Sequence, residues 1–412
     1  MDILYPVCCG VDVHKTFLIA TIITTKDGSL LPQYTQKRFS TFNSSLKKFA
    51  AWLIEHDCFH VCMESTGKYW TPVFNILEQQ SIHTIIANPK WVRSVQGNKD
   101  DKKDSKRIAE LFRLGMVPAS FIPDKDTRIL REYTRYISKL IAARSSEKNR
   151  LQNAFTVCNV ALDSVVSDMF GKSATAITDY LVSDDTFSPE HCISLLQGSL
   201  KKKADLVLES ILGYDIEDVQ KTRIILIRRH IDFINTLIDT LESNIDSMVV
   251  QYEEHIRRLC TVPGIKRTSA IKIISEIGVD MSQFASSRRL CSWAGLSPRR
   301  DESAGKKHSV HISRAGVYLK PALVQVALAA VKDKENPYYA KKYERISKRR
   351  GKKRAIIAIA RMILTAVYAI LSTGQVWHPT DLDRIKSLEQ HQLEKQTQQA
   401  IRFLESQGFS VG

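Results

Sequence analysis

Several features that would place this chain in a familiar protein class are missing from its sequence. Its eight cysteines include no CxxC pair, and Cys8 and Cys9 are adjacent, which favours reduced thiols in a cytoplasmic compartment over a disulfide framework. No Lys or Arg precedes the first apolar run, so no signal peptide is predicted. Residues 170–174 resemble the end of a nucleotide-binding phosphate loop, but Val166 stands where the first glycine is required.

One apolar stretch, residues 355–371, resembles a membrane span. It is 17 residues long, shorter than the ~20 that a bilayer requires, and Arg361 falls near its middle. We therefore predict a buried core helix here and no membrane association.

Acidic residues are fewer than basic residues. The 412-residue chain has 60 Lys and Arg against 44 Asp and Glu, a formal net charge of +16 and a pI near 9.4. This surplus favours a polyanionic partner, because Lys and Arg that neutralise phosphates release condensed counterions. The alternative is a basic protein without such a partner. The length predicts two or three domains, each with its own core.

Strands and helices alternate in the first part of the chain. Residues 5–24 are rich in Val, Ile and Thr and predict one strand that turns at residues 26–28 into a second. Residues 59–65 and 83–88 predict further short strands, with a helix between them that has Pro72 in its first turn. The predicted fold class of residues 1–120 is therefore α/β, with part of the sheet parallel.

The remainder of the chain is predicted to be mainly helical. Ile, Leu and Val recur at three- and four-residue spacing, and residues 218–259 predict one long helix suited to a coiled coil. Residues 259–278 resemble a helix-hairpin-helix element, which grips the DNA backbone through its loop amides. The predicted boundaries are a helical coiled-coil region at 121–257, a mainly helical C-terminal domain at 258–374 and a polar tail at 375–412.

Three aspartates lie within a very basic stretch, NKDDKKDSKRIAELF. At about 100° per residue, Asp101 and Asp104 continue the apolar face of the predicted helix, whereas Asp100 lies farther around it. Isolated carboxylates are costly to bury unless a cation shares the site. The alternative is that these aspartates are favoured only by the dipole at a helix N-terminus.

Two other acids interrupt apolar strands. Asp12 lies between Val11 and Val13 and faces away from both, and Glu64 ends a strand before a Ser-Thr-Gly turn. Active groups of α/β folds gather at such strand ends, although a lone strand carboxylate usually has no function. With the two aspartates of the following helix, these acids predict a carboxylate site for Mg²⁺ or Mn²⁺. Two-metal sites stabilise attacking and leaving oxygens in phosphodiester chemistry.

In the C-terminal domain, Ser303 lies in a polar stretch flanked by cations. A serine in this setting can attack a phosphate, since positive charge holds the phosphate and stabilises the developing charge. A polar turn that binds phosphate passively is the alternative.

Residues 341–354 carry nine Lys or Arg and one acid, and Tyr338, Tyr339 and Tyr343 are candidate base-stacking groups. The predicted nucleic-acid-binding residues are Lys102, Lys103, Arg299, Arg300, Lys306, Lys307, Lys348, Arg349, Arg350, Lys352, Lys353 and Arg354.

Together these residues resemble the DEDD transposases of the insertion-sequence-110 family, which are bridge-RNA-guided recombinases with a catalytic serine. The resemblance covers nearly the whole chain and rests on the order of the motifs GVDVHK, ESTGKYW, KDDKKDSKRIAEL, VPGI, AGLSPR, ESAGKK and ISRAG. It implies an N-terminal RuvC-like (ribonuclease H-like) domain, a coiled-coil dimerisation segment and a C-terminal transposase domain. The implied catalytic residues are the tetrad Asp12, Glu64, Asp101 and Asp104 and the nucleophile Ser303.

The family often has a glycine where this chain has Val310, and Ser309 and Ser313 lie close to Ser303. The choice among the three serines therefore stays open. The resemblance implies cutting and rejoining of donor and target DNA through a protein–DNA phosphoserine link, without ATP. It also implies a non-coding guide RNA and a homo-oligomer, either a dimer or a tetramer.

Two other functions fit the same residues. A metal-dependent junction nuclease would use the tetrad with water as nucleophile, and it would form no covalent adduct with DNA. A non-catalytic nucleic-acid-binding scaffold would dimerise through its long helices, and it would be indifferent to divalent metal.

Overall fold

A computed structural model of the chain describes residues 3–25, 31–64, 67–92, 101–183, 185–298, 301–303, 306–309, 312–381 and 394–403. The chain divides into two units, Met1–Pro123 and Asp124–Gly412.

The N-terminal unit contains a five-stranded mixed sheet. Its strands are β1 (Val7–Val13), β2 (Phe17–Thr24), β3 (Gln33–Ser40), β4 (His60–Glu64) and β5 (His83–Ala87). Their order is β3-β2-β1-β4-β5, in which β2 is antiparallel to both of its neighbours while β1, β4 and β5 are mutually parallel. This sheet confirms the α/β class predicted for the N-terminal part and is consistent with a ribonuclease H-like domain.

Residues 5–24 form a hairpin, so the prediction of a single strand was wrong. The chain reverses at residues 14–16, where the backbone N–H of His14 donates a hydrogen bond to the carbonyl oxygen of Phe17 at 2.8 Å. Both arms have the same Val-, Ile- and Thr-rich composition, so β-propensity alone does not mark the reversal between them. The turn predicted at residues 26–28 lies outside the described residues.

Helices cover both faces of this sheet. They are α1 (Asn43–Glu55), α2 (Trp70–Gln79), α3 (Pro89–Val92) and α4 (Asp101–Arg113). Apolar side chains of α1 and α2 pack with one set of strand residues that includes Val11, whereas α4 packs with the alternate set that includes Cys8. Successive strand residues point to opposite faces, so α4 covers the face opposite to that of α1 and α2.

The second unit is mainly helical, as predicted. Its helices are α5 (Lys125–Val157), α6 (Lys172–Leu181), α7 (Pro189–Ser194), α8 (Ala204–Glu209), α9 (Asp218–Met248), α10 (Glu253–Leu259), α11 (Arg267–Ile277), α12 (Ser287–Trp293), α13 (Leu319–Lys332), α14 (Tyr338–Arg350) and α15 (Lys352–Thr373). Two short strands, β6 (Asp301–Ser303) and β7 (Lys306–Ser309), pair with each other. The long helices α5 and α9 pack antiparallel, with Arg144 of one donating to Asn235 of the other at 2.8 Å.

The single long helix predicted for residues 218–259 is interrupted. The α9 helix ends at Met248, and a 3-10 turn precedes α10. At this turn the buried Tyr252 hydroxyl lies 3.3 Å from that of Thr127, in the first turn of α5. If α9 continued straight, it would extend beyond the first turn of the antiparallel helix α5. The chain instead changes direction and packs across the start of α5. Helical periodicity does not reveal where the partner helix ends.

The apolar stretch at 355–371 lies within α15. Among the described residues this is the one helix that is long and apolar enough to cross a membrane. Here it packs against α13 and α14. Its buried side chains are Ala355, Ile359, Ala360, Ile363, Leu364, Val367 and Ile370. This position confirms the prediction of a core helix.

Candidate metal centre and nucleic-acid-binding residues

The two strand acids lie side by side at the carboxyl ends of parallel strands. Asp12 is the penultimate residue of β1, and Glu64 is the last residue of β4. The register pairs Val11 with Met63, so Asp12 and Glu64 are the next residues along the same two strands. Ligands of open α/β sheets commonly bind at this edge. Asp12 is 8% exposed, which is unusual for a carboxylate without a charged partner.

A glycine lets α4 cross the sheet in direct contact with β1. A Cβ atom at Gly10 would lie 2.2 Å from the backbone nitrogen of Ala109 and 2.4 Å from the carbonyl oxygen of Ser105. The side chain of Asp12 points to the same face as Gly10, because both are even-numbered positions of one strand. Since Asp101 lies one helical turn before Ser105, this close approach brings it to the strand end that carries Asp12.

Hydrogen bonds hold the first turn of α4 on the sheet. The hydroxyls of Thr21 and Ser105 lie 2.8 Å apart, and Thr21 is paired with Gly10 across the sheet. The side-chain amide of Gln36 donates to the Thr21 hydroxyl at 2.8 Å and to the carbonyl oxygen of Lys102 at 2.9 Å. These hydrogen bonds, of which only the one to Lys102 is exposed, fix the position of Asp101 relative to β1 and β2.

The result is a compact group of three possible ligands. The Nε2 atom of His14 lies 3.1 Å from Oδ2 of Asp12 and 3.5 Å from Oδ1 of Asp101. One ligand atom from each residue lies within 4.8 Å of the others. Burial raises the pKa of Asp12; His14 opposes this by charge and hydrogen bonding, while the charges of Asp101 and Glu64 raise the pKa further.

This group fits a divalent cation. Carboxylate oxygens are the donors that Mg²⁺ and Mn²⁺ prefer, and within the group Asp12 and Asp101 supply them from β1 and α4. A bound cation would offset both the burial and the charges of Asp101 and Glu64 that raise the pKa of Asp12.

His14 was missed by the sequence analysis. It follows Asp12 by two residues in the motif GVDVHK, so strand alternation alone would have placed both side chains on one face. The imidazole bridges Asp12 and Asp101, which makes it either a ligand or a residue that positions the carboxylates.

The other two predicted acids, Glu64 and Asp104, lie outside this group of three. Asp104 is half-buried on α4, three residues after Asp101 and therefore on a neighbouring part of the same helix face. Among the residues that the structure describes, neither Glu64 nor Asp104 joins the group of three. Lys102 and Lys103 are exposed beside them, and Asp100 lies outside the described residues.

Ser303 lies at the end of the β6 strand in a short hairpin. The backbone register pairs it with Lys306 of β7. The segments before and after the hairpin approach each other closely. A Cβ atom at Gly316 would lie only 2.2 Å from the carbonyl oxygen of Ala294. Only the backbone is described for Ser303, Lys306 and Lys307, and both Arg299 and Arg300 lie outside the described residues.

The neighbouring Ser313 has a structural contact of its own. Its hydroxyl accepts a hydrogen bond from the backbone N–H of Ala315 at 3.3 Å, and Lys320 donates to its carbonyl oxygen at 2.8 Å. These bonds stabilise the turn that leads into α13. For Ser309, which lies in β7, only the backbone is described.

The basic strip predicted at residues 341–354 spans the end of α14 and the start of α15. Its exposed cations include Lys348, Arg349, Arg350, Lys352, Lys353 and Arg354. Tyr338 and Tyr339 are buried, so the prediction that they stack on bases was wrong. The Tyr338 hydroxyl donates to Asp381 at 2.6 Å, and its ring packs edge-on against Trp377. Spacing in sequence did not reveal this packing, because the partners come from the segment after α15.

Comparisons with known proteins agree with this organisation. Residues 9–159 match the profile of a transposase family of the DEDD, IS110 type, and residues 256–344 match the transposase IS116/IS110/IS902 family. The transposase for insertion sequence element IS1111A of Coxiella burnetii is 23% identical over 333 residues, which is 77% of this chain and 79% of that protein. A pilin gene-inverting protein of Moraxella bovis is 35% identical over 122 residues, 27% of this chain and 35% of that protein.

A mixed sheet with acids at its parallel strand ends, followed by a helical unit that matches a second transposase family, defines a DNA transposase or recombinase. The chain belongs to the IS110 family of transposases.

Proposed function

We propose that this chain cuts and rejoins DNA to mobilise an insertion sequence, with Mg²⁺ or Mn²⁺ held by Asp12, Glu64, Asp101 and Asp104. The observation that carries the proposal is the convergence of Asp12, His14 and Asp101 within 4.8 Å beside the strand end of Glu64. When bound, the metal would stabilise charge on the attacking and leaving oxygens of a phosphodiester. His14 would orient the Asp12 carboxylate through its 3.1 Å contact.

The test is replacement of Asp101 by Asn, which removes the charge but keeps the shape of the side chain. We expect Asp101→Asn and Asp104→Asn to abolish metal-dependent cleavage of a DNA substrate while DNA binding remains. Asp100→Asn is the matched control, since it removes the same charge at the preceding position of the sequence. Full cleavage by the Asp101→Asn protein would refute the metal assignment.

Ser303 is the proposed nucleophile. Its hydroxyl would lose a proton as Oγ forms a bond to phosphorus, the bond from phosphorus to the leaving DNA oxygen would break, and that oxygen would take up a proton, so that the step has no net proton change. A hydroxyl of another DNA end would then reverse the step and release the serine. This exchange conserves the energy of the phosphodiester bond, which suits a chain whose only phosphate-loop-like stretch lacks the first glycine.

Denaturing gels of stalled reactions test the serine directly. We expect DNA attached to protein, with the link mapping to Ser303 and absent from Ser303→Ala. The matched controls are Ser309→Ala and Ser313→Ala, which should retain the adduct. An adduct that survives Ser303→Ala would move the nucleophile elsewhere, and the absence of any adduct would favour the metal-dependent nuclease.

DNA is the proposed substrate, and the proposed helix-hairpin-helix element offers it a cavity with three lysines in its lining. Residues 262–265 connect α10 to α11 and line an open cavity of about 770 Å³. Lys266, Lys272 and Lys332 also line it, together with Asp333 and Glu335. The three lysines suit phosphates of the backbone. Family membership is the support for a guide RNA and for a site of action in the bacterial cytoplasm.

A homo-oligomer is proposed through the long helices of residues 121–257. Val219, Leu226 and Phe233 of α9 are 77%, 57% and 60% exposed. They recur every seven residues, which is the spacing of one coiled-coil stripe. The opposite stripe of α9 already packs on α5, so this second stripe is available for another copy of the chain.

Site-specific DNA inversion is the second candidate function. It is favoured by the 35% identity to the pilin gene-inverting protein over 122 residues. Inversion needs the same cutting and rejoining, so the Asp101 and Ser303 variants affect both reactions. A plasmid assay separates them, because transposition moves the element to a new position whereas inversion reverses a segment in place.

A further inference from the structure

A basic residue lies in the same row of the sheet as the candidate metal centre. Asp12 of β1 is paired with Ile19 of β2, and Ile19 is paired with Arg38 of β3. Directly opposed residues of antiparallel strands point to the same face, so Arg38 shares the face that carries Asp12. Two strand spacings separate their backbones, a distance of about 10 Å.

Arg38 is fixed over an aromatic ring. The centre of its guanidinium lies 3.8 Å from the ring centroid of the half-buried Phe17. The same ring stacks with His14, whose centroid is 4.6 Å away at an interplanar angle of 28°. The three side chains thus form one stack that begins at the metal centre and ends at an exposed cation. Among the described residues, no carboxylate lies within 4.0 Å of Arg38 to neutralise it.

We propose that Arg38 is a phosphodiester-binding residue that holds the DNA backbone beside the metal centre, with Phe17 orienting its guanidinium. A planar guanidinium matches phosphate oxygens in a two-pronged geometry, and stacking on a ring reduces the freedom that it loses on binding. At a rise of about 3.4 Å per nucleotide, a separation of about 10 Å places the bound phosphate roughly three nucleotides from the reacting phosphate. This inference rests on the proposed function of the acidic residues.

The neighbouring Lys37 provides a matched control. It is exposed, carries the same charge and differs from Arg38 by one position in the strand. Its ammonium lies 5.4 Å from the ring of Phe39, which belongs to the core between the sheet and α1. Lys37 therefore points to the opposite face of the sheet, away from Asp12.

The experiment compares Arg38→Ala with Lys37→Ala, both in an Asp101→Asn background so that binding is measured without cleavage. The probe is a fluorescently labelled DNA duplex of arbitrary sequence, titrated at several salt concentrations. We expect Arg38→Ala to reduce the slope of log K against log salt by about 0.9, the value for one phosphate that is no longer neutralised. We expect Lys37→Ala to leave the slope unchanged, and Arg38→Lys to keep the slope but bind more weakly.

Equal salt slopes for all variants would overturn the proposal. Equal decreases of the slope in Arg38→Ala and Lys37→Ala would also overturn it, because Arg38 would then contribute only general positive charge. Thermal unfolding of each variant checks that the fold is retained. A wild-type protein that does not cleave, together with the expected change at Arg38, would refute the proposed metal chemistry but leave the DNA-binding role of Arg38 standing. Loss of cleavage in Asp101→Asn with no effect of Arg38→Ala would refute the DNA-binding role of Arg38 but leave the proposed metal chemistry standing.

Discussion

Replacing Gly10 by Ala tests whether the close approach of α4 to β1 positions the acidic site. The added Cβ would lie 2.2 Å from the backbone nitrogen of Ala109, whereas unstrained non-bonded atoms stay about 3.5 Å apart. The helix must therefore move by roughly 1 Å, and overpacking of this kind costs about 1–3 kcal/mol of stability. Asp101 rides on the same helix, so it must move relative to Asp12. A misplacement of about 1 Å can reduce a rate ~100-fold.

The assay measures metal-dependent cleavage and the free energy of unfolding on the same protein samples. We expect Gly10→Ala to lower the cleavage rate ~100-fold at temperatures where the protein stays folded. Leu46→Ala is the control, because it removes a fully buried side chain of α1 on the other face of the sheet, at a cost of about 2–5 kcal/mol. The Leu46→Ala protein should be less stable than the wild type but, at temperatures below its melting range, should cleave at the wild-type rate. A Gly10→Ala protein with the wild-type rate would refute the reasoning.

Three further predictions concern the second unit. Changing residues 348–350 to Ala should reduce the salt slope of duplex binding by about 0.9 for each phosphate that the strip neutralises, and an unchanged slope would place this strip away from DNA. Glu276→Ala should destabilise the protein by about 1.5–3 kcal/mol in urea unfolding, because the half-exposed Arg135 of α5 loses its two charged hydrogen bonds to this buried carboxylate. The exposed Glu254→Ala should cost much less, and equal costs would contradict this account. Phe233→Asp should weaken self-association in sedimentation experiments, whereas Asp at the exposed Val250, outside the α9 stripe, should not.

Patterns within short segments were sufficient for several features. Alternation along β1 places Asp12 opposite to its apolar neighbours, and the α4 helix begins with Asp101 ahead of its buried face. The α/β class of the first unit, the helical character of the second and the core position of α15 were also predictable. Each depends on the period with which apolar residues recur, which the sequence contains in full. The catalytic roles of the four acids and of Ser303 stay predictions.

Features that depend on contacts between distant segments were not predictable. The break after α9 arises where the partner helix ends, and local propensity is the same on both sides. The hairpin in residues 5–24 is local, but it was missed because both of its arms have the same composition. Tyr338 is buried because Asp381 and Trp377 cover it from the segment after α15.

The acidic site also combines features that a local sequence pattern determines with features that depend on tertiary contacts. Sequence by itself determined which side of β1 carries Asp12, since alternation is a property of the strand alone. Only the tertiary structure decided that Asp101 and Arg38 share that side with it. Their placement requires the register of three strands and the approach of α4 to Gly10, and both follow from packing between segments far apart in the chain.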